Sequence, residues 1–287
     1  TTANLALLGD KNLMFNAERT AFIMYQVSGH SWVAMGDPVG PAEACEPLAW
    51  EFLESCDVMA VSPVFYQVKP ENLALYIDLG LNLSKLGEEA RVELETFSLE
   101  GAARADLRQT HRRASRDGAE FEIVPRANLD AILADLRAIS DAWLEEKRTG
   151  EKRFSLGYFD ADYLKNFDCG VVRCNGAIVA FANIWRGAAS ELSVDLMRYG
   201  AGAPKSVIDF LLVECMLWGK AQGYRWFNLG MAPLSGLEEH ALAPTWHKVG
   251  RMVQRYGEMF YHFEGLRKYK EKFQPVWRPR YLAAPDG

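Results

Sequence analysis

Apolar positions along this chain recur with two periods, and the changes between them mark its elements. Residues 21–27 (AFIMYQV) and Ser31–Met35 (SWVAM) are short apolar runs rich in strand formers, and the SGH link between them predicts a hairpin. Residues 36–41 (GDPVGP) read as a rigid turn. From 42 to 56 the spacing becomes helical, with Ala44, Leu48 and Phe52 on one side. Residues 58–68 read as a strand in which Pro63 marks an edge or bulge, 71–79 as a short helix and 83–94 as a strand region. A helix is expected over 101–117, closed by Gly118, and a strand over 119–124. Residues 129–147 form a long amphipathic pattern with Ile132, Leu136, Ile139 and Trp143 inward, and 160–167 a short helix. Asn175-Gly176 between two apolar runs is a type I′ hairpin signal.

The most organised stretch follows. A strand over Glu191–Tyr199 runs into a turn with Gly200, Gly202 and Pro204, then an apolar helix over 204–222 that Gly223 ends, then a strand over 225–230. Further helices are expected over 245–256 and 263–273, before an aromatic, Pro-rich tail (Pro275, Trp277, Pro279, Tyr281). The two halves share an order: hairpin, Gly/Pro turn, helix, strand in 21–68, and hairpin, strand, turn, helix, strand in 170–230. Their sequences do not align, so the repeat is one of topology. This predicts two similar α/β (α+β) domains, 1–117 and 118–287, with residues 101–117 as a helix near the junction.

Charge changes this picture in two places. The chain carries a net charge of −6, against a uniformly basic nucleic-acid binder. Yet the stretch 104–117 sums to +3 and the stretch 264–280 to +4. Arg104, Arg108, Arg112 and Arg116 recur at i+4 and form one helical ridge, with Arg113 beside it. Like charges at this spacing repel. The ridge is therefore a solvated face, a set of ion pairs with carboxylates elsewhere, or a seat for a polyanion.

Other chemistry is sparse. The five cysteines show no zinc spacing and read as reduced thiols. His30, His111, His240, His247 and His262 lack metal spacing, and Ser235 lacks the context of a hydrolase nucleophile. No apolar run is long enough to span a membrane. A strand, a turn at a helix N-terminus, a helix and a returning strand can seat a pyrophosphate, as acetyl-CoA acyltransferases do. Their Arg/Gln-x-x-Gly-x-Gly/Ala pattern, started at Arg198, puts Ala201 where glycine is wanted, so that seat reads as spoiled. Asp195 stands mid-strand in an apolar context, where a lone carboxylate is costly. A regular strand would point Asp195 and Arg198 to opposite faces, and a bulge would bring them onto one. Glu258 and Lys270 sit in aromatic surroundings suited to a cleft.

The blocks LLGDKNLMF, SWVAMGDPVGP, SVDLMRY, FLLVECMLWGKAQGYRWFNLGMAPLSGL and GLRKYKEKFQPVWRPRYLA resemble the C-terminal catalytic domain of the multiple peptide resistance factor family, the aminoacyl-phosphatidylglycerol synthases, and look closest to the alanyl branch. The resemblance implies two tandem GNAT-like folds behind an N-terminal transmembrane flippase domain, and a start at Thr1-Thr2 fits a piece of a longer protein. It implies an aminoacyltransferase that moves an alanyl or lysyl group from aminoacyl-tRNA to a head-group hydroxyl of phosphatidylglycerol. The expected place is the cytoplasmic face of the bacterial inner membrane, and the outcome resistance to cationic antimicrobial peptides. No ATP, metal or coenzyme A is implied, because the aminoacyl ester arrives activated. On this resemblance Asp195, Arg198, Glu258 and Lys270 are the catalytic candidates, and the arginine ridge (Arg104, Arg108, Arg112, Arg113, Arg116) is the tRNA seat. Lys268, Lys272, Trp277 and Arg278 are the lipid-facing candidates. A Fem-type tRNA-dependent peptidoglycan ligase and a non-catalytic tRNA- or membrane-docking module are the competing expectations.

Overall fold

The computed structural model of the protein describes residues 1–151, 153–188, 190–236 and 263–286. The strands are β1 (Asn12–Phe15), β2 (Phe22–Ser28), β3 (Ser31–Met35), β4 (Ser62–Val68), β5 (Asn82–Glu93), β6 (Ala119–Val124), β7 (Cys169–Cys174), β8 (Ala177–Gly187), β9 (Glu191–Tyr199), β10 (Trp226–Pro233) and β11 (Val276–Ala284). The helices are α1 (Ala42–Val58), α2 (Leu73–Asp78), α3 (Ala105–Arg116), α4 (Leu133–Lys147), α5 (Ala161–Leu164), α6 (Val207–Ala221) and α7 (Phe263–Glu271). One mixed sheet holds the strands in the order β1-β2-β3-β4-β11-β5-β10-β9-β8-β7-β6. It runs unbroken past the expected boundary at residue 117.

The class is α+β, and the repeat expected from sequence has a definite form. Among the described residues two neighbouring pairs are parallel, β3 with β4 and β9 with β10, and each is joined by a crossover helix, α1 or α6. The remaining neighbours are antiparallel, as hairpins and meanders allow. Asn175 and Gly176 both take positive φ (51° and 81°), as a type I′ turn between β7 and β8 requires. Gly219 brings α6 close to the sheet: a Cβ there would lie 2.6 Å from Leu192 Cδ1. Leu192 and Val194 pack with α6, whereas Leu196 packs with Leu136 and Ile139 of α4. Helices therefore cover both faces of β9.

Several boundaries differ from the sequence reading. α1 runs on to Val58, so β4 begins at Ser62. α6 begins at Val207 because Ser206 adopts a left-handed φ of 67° and stops the helix from reaching back to Pro204. The starts of α2, α3 and α4 are preceded by 3-10 turns. The helix expected over 245–256 lies outside the described residues, as do His240, His247 and His262.

The largest difference is the tail. Residues 276–284 form β11, inserted between β4 and β5, so the end of the chain completes the sheet of the N-terminal half. Prolines argue against a central strand. Here β4 pairs only Tyr281–Ala283, which leaves that flank without a strand at Pro279. Pro63 is accommodated likewise, at the start of β4 where β11 has not yet paired. Arg280 of β11 is buried against Glu89 of β5.

Removing one partner of a buried ion pair strands the other. Arg280→Ala is expected to cost about 3–5 kcal/mol in urea unfolding, and Arg280→Met with Glu89→Gln to recover most of that loss. A double variant no more stable than Arg280→Ala would show that the pair does not hold β11 in place.

Candidate active site

β9 and β10 pair in parallel only at Glu191–Ser193 with Trp226–Asn228, whereas β3 and β4 pair over five consecutive residues. Past that point the second pair parts, and each strand is irregular. β10 shifts register against β5 between Asn228 and Met231, with Gly230 at φ 79°. β9 shifts against β8 so that Asp195 and Leu196 both face Asn183. Asn183 Oδ1 accepts the Leu196 N–H at 2.8 Å, which satisfies the backbone donor that a bulge frees.

This bulge brings Asp195 and Arg198 to one cavity of about 420 Å³, walled by Trp143 and Lys147 of α4 and by Leu156 and Gly157 of the following loop. Asp195 Oδ1 accepts the Gly157 N–H at 2.8 Å and Oδ2 accepts the Tyr163 hydroxyl at 2.8 Å. Trp185 Nε1 donates in turn to the Tyr163 oxygen at 2.9 Å. Burial pushes the Asp195 carboxyl above the usual carboxylate range, against the pull of these two donors, Arg198 and Lys11. A Cβ at residue 157 would lie 1.8 Å from Asp195 Oδ2, so only glycine fits there.

Arg198 forms its ion pair with Glu151, Nη2 to Oε2 at 2.9 Å, not with Asp195. Its guanidinium lies 4.2 Å from the Trp143 ring centroid. Nη1 donates to the Met197 carbonyl, while the buried Nε has no hydrogen-bond partner among the described residues. Burial lowers the guanidinium's pKa, and Glu151 opposes that. The cavity is thus lined by an ionisable carboxylate and by a guanidinium held by Glu151.

Lys270 does not line this cavity. It is 6% exposed, and its Nζ donates to the carbonyls of Gly230 (3.0 Å) and Met231 (2.9 Å), where β10 leaves β9. Burial pushes its pKa down to about 7, with Glu89 opposing. A second cavity, of about 390 Å³, lies where the two halves meet, with Glu89, Glu191, Asn228 and Arg280 on its wall. Glu258 lies outside the described residues.

The arginine ridge divides. Arg108 Nη1 donates to the carbonyls of Leu99 (2.6 Å) and Gly101 (3.0 Å). Arg104 donates to the Lys272 carbonyl and stacks on Phe97. These two fasten the loop before α3 and the end of α7. Arg112, Arg113 and Arg116 are exposed, and Arg113 keeps a loose pair with Asp117 at 3.8 Å. Of the lipid-facing candidates, Lys268 and Arg278 are exposed, Lys272 pairs with Asp209 at 2.8 Å, and half-buried Trp277 lies under Arg267 at 4.2 Å.

The family model for the C-terminal part of phosphatidylglycerol lysyltransferase matches residues 1–284. The chain belongs to this family. A phosphatidylglycerol lysyltransferase of Bacillus subtilis is 39% identical over 284 residues, and one of Staphylococcus aureus 34% over 283, each match taking in 98% of this chain. The chain spans about a third of the length of these relatives, 33% in both cases. Among solved structures, a C-terminal domain from Agrobacterium fabrum superposes with TM-score 0.89 at 43% identity, covering 100% of this chain and 87% of that one. The structure of L-PGS from Bacillus licheniformis gives 0.88 at 39%, covering 99% and 87%. FemX is similar in fold alone, with TM-score 0.61 at 9% identity, covering 98% of this chain and 90% of that one.

Sequence reasoning pointed to Asp195, Arg198 and the bulge between them. It missed Glu151, Gly157, Tyr163 and Trp185, which lie on a loop, a four-residue helix and β8 and carry no periodic signal. Gly157 was the one visible sign, a glycine inside an aromatic stretch.

Lys270 generates a pH prediction. Below about 7 the folded and unfolded states both carry its proton; from there towards the ordinary lysine value of 10.5 the unfolded state binds more. Stability gains from this residue as pH rises through that window. Lys270→Met should remove that gain in denaturant titrations across the window. If the variant kept the wild-type slope, Lys270 would not be the group responsible.

Proposed function

We propose that the chain transfers an aminoacyl group from aminoacyl-tRNA to a head-group hydroxyl of phosphatidylglycerol. The observation that carries this reading is that half-buried Asp195 and Arg198 line one cavity on the α4 side of β9. The relatives' names supply the lipid acceptor and a lysyl donor, and the sequence blocks favour an alanyl one. tRNA as carrier comes from the resemblance and from the exposed end of the arginine ridge.

In this reading the acceptor hydroxyl oxygen attacks the ester carbonyl carbon while Asp195 takes its proton. The carbonyl oxygen gains negative charge beside the Arg198 donor. The bond to the ribose oxygen then breaks, and the ribose oxygen leaves with the proton returned by Asp195. The ester is already activated, so the protein's main tasks are holding two substrates together and moving one proton. No helix among the described residues is long and apolar enough to cross a membrane, and contact with lipid falls to exposed apolar and basic side chains. We place the reaction at the cytoplasmic face of the bacterial membrane. The division into units at residue 117 and the lipid-facing role of Lys268, Lys272, Trp277 and Arg278 belong to the same proposal.

The deciding assay incubates the chain with labelled alanyl- or lysyl-tRNA and phosphatidylglycerol vesicles, with a lipid-linked peptidoglycan precursor in parallel. Labelled aminoacyl-lipid is the expected product. Label on the precursor would favour the peptidoglycan ligase, and tRNA or vesicle binding without product the docking module. Asp195→Asn and Arg198→Lys should each lower turnover by roughly 10²-fold or more. A loss no larger than the loss of folded protein would make both residues structural.

The ridge gives a separate prediction. Arg112→Ala and Arg116→Ala should raise KM for aminoacyl-tRNA and reduce the slope of log affinity against log salt by roughly 0.7–0.9 for each phosphate no longer neutralised. Their thermal midpoints should stay near wild type. Arg108→Ala, which strands two carbonyls, should lower the midpoint instead. An unchanged salt slope for all three would remove tRNA from α3.

A further inference from the structure

Three elements converge on Asp195, and the hydrogen-bond directions among them are fixed by chemistry. An indole N–H can only donate. The Trp185 Nε1–H, 2.9 Å away, therefore takes a lone pair of the Tyr163 oxygen and leaves the phenolic proton for Asp195 Oδ2 at 2.8 Å. The Gly157 backbone N–H likewise can only donate, to Oδ1 at 2.8 Å. The chain Trp185 to Tyr163 to Asp195 thus runs one way, and all three residues are buried or half-buried.

We propose that Tyr163 is a positioning residue whose hydroxyl keeps Asp195 ionised and aims its free lone pairs into the cavity it shares with Arg198. This inference rests on the reading of Asp195 as the proton acceptor, and deepens it. Burial pushes the carboxyl towards holding its proton, and the Tyr163 hydroxyl pulls the other way. Phe in place of Tyr163 would keep the ring and remove the donor.

The other groups around Asp195 leave this role open. Arg198, on the same strand, is engaged by Glu151 of the neighbouring loop. Lys147 of α4 lines the same cavity and pairs with Glu146. Lys11, before β1, acts on Asp195 by charge and is hydrogen-bonded to Asp10. Tyr163 supplies the side-chain hydrogen bond that Asp195 accepts among the described residues.

The test needs a readout that packing alone would not move. Thermal midpoints of wild type and Tyr163→Phe are compared from about pH 4.5 to about pH 8. An Asp whose folded pKa is raised destabilises the fold when ionised, and protonation relieves this as pH falls. The variant raises that pKa further. The gap between wild type and variant should therefore be widest near neutral pH and narrow as pH falls. In an Asp195→Asn background the effect of Tyr163→Phe should lose its pH dependence. A gap constant with pH in the wild-type background overturns the proposal.

Under the transfer assay, the acidic limb of kcat/KM should move up by about one pH unit in Tyr163→Phe, with KM for both substrates nearly unchanged. An unmoved limb also overturns it. Wild-type protein inactive in transfer would sink the functional reading, and the midpoint comparison would still decide the role of Tyr163. If Tyr163→Phe does not fold, Trp185→Phe keeps the hydroxyl but frees its direction. That variant should shift the midpoint comparison the same way by less, and no shift there counts against the proposal.

Discussion

The extra residue in β9 governs what the cavity can contain. In an unbroken strand, successive side chains alternate between faces, and Asp195 and Arg198 would be separated by the sheet. With Asp195 and Leu196 together opposite Asn183, the alternation slips by one and both charged side chains reach the same space. The slip would leave the Leu196 N–H without a ladder partner in the interior, a cost of about 1–3 kcal/mol. Asn183 Oδ1 accepts it and offsets that cost. A single buried amide therefore stands behind the geometry of the candidate site.

The same logic of freed backbone groups explains the charges at the centre of the molecule. Where β10 leaves β9, the carbonyls of Gly230 and Met231 face a buried region, and Lys270 supplies their donor. Glu89 answers Arg280, and Glu151 answers Arg198. Each arrangement ties together segments distant in sequence: α7 to β10, β5 to β11, and the loop after α4 to β9. Desolvating these groups is expensive. Lys270 and the Arg280–Glu89 pair engage β10, β5 and β11, where the two halves share the sheet.

Much of this was legible in the residues, and the rest was not for physical reasons. The hairpin at Asn175-Gly176 and the end of α6 at Gly223 are local, and local chemistry encodes them. An aspartate in an apolar strand announced that something must satisfy it, and the bulge was the way to bring Arg198 beside it. What satisfies it could not be read, because Gly157 and Tyr163 lie 38 and 32 residues away and meet it only through the fold. β11 was hidden because Pro279 argues against a central strand until one sees that β4 pairs only its far end. The ridge of arginines was visible as a period, but Arg108's use of its charge on the Leu99 and Gly101 carbonyls was not.

The topological repeat raises the question of why the candidate site lies on the second parallel pair. Both pairs are joined by a helix. In the first, β3 and β4 stay paired from Ser31 with Ser62 to Met35 with Tyr66. In the second, pairing stops after Ser193 and Asn228, and the strands diverge. Divergence exposes backbone groups and opens volume, which a protein must fill with side chains, water or ligand. On the α4 side of β9, beyond that point, a cavity of about 420 Å³ is lined by Asp195 and Arg198. In the N-terminal half the parallel pair stays closed, and β11 completes the sheet beside it.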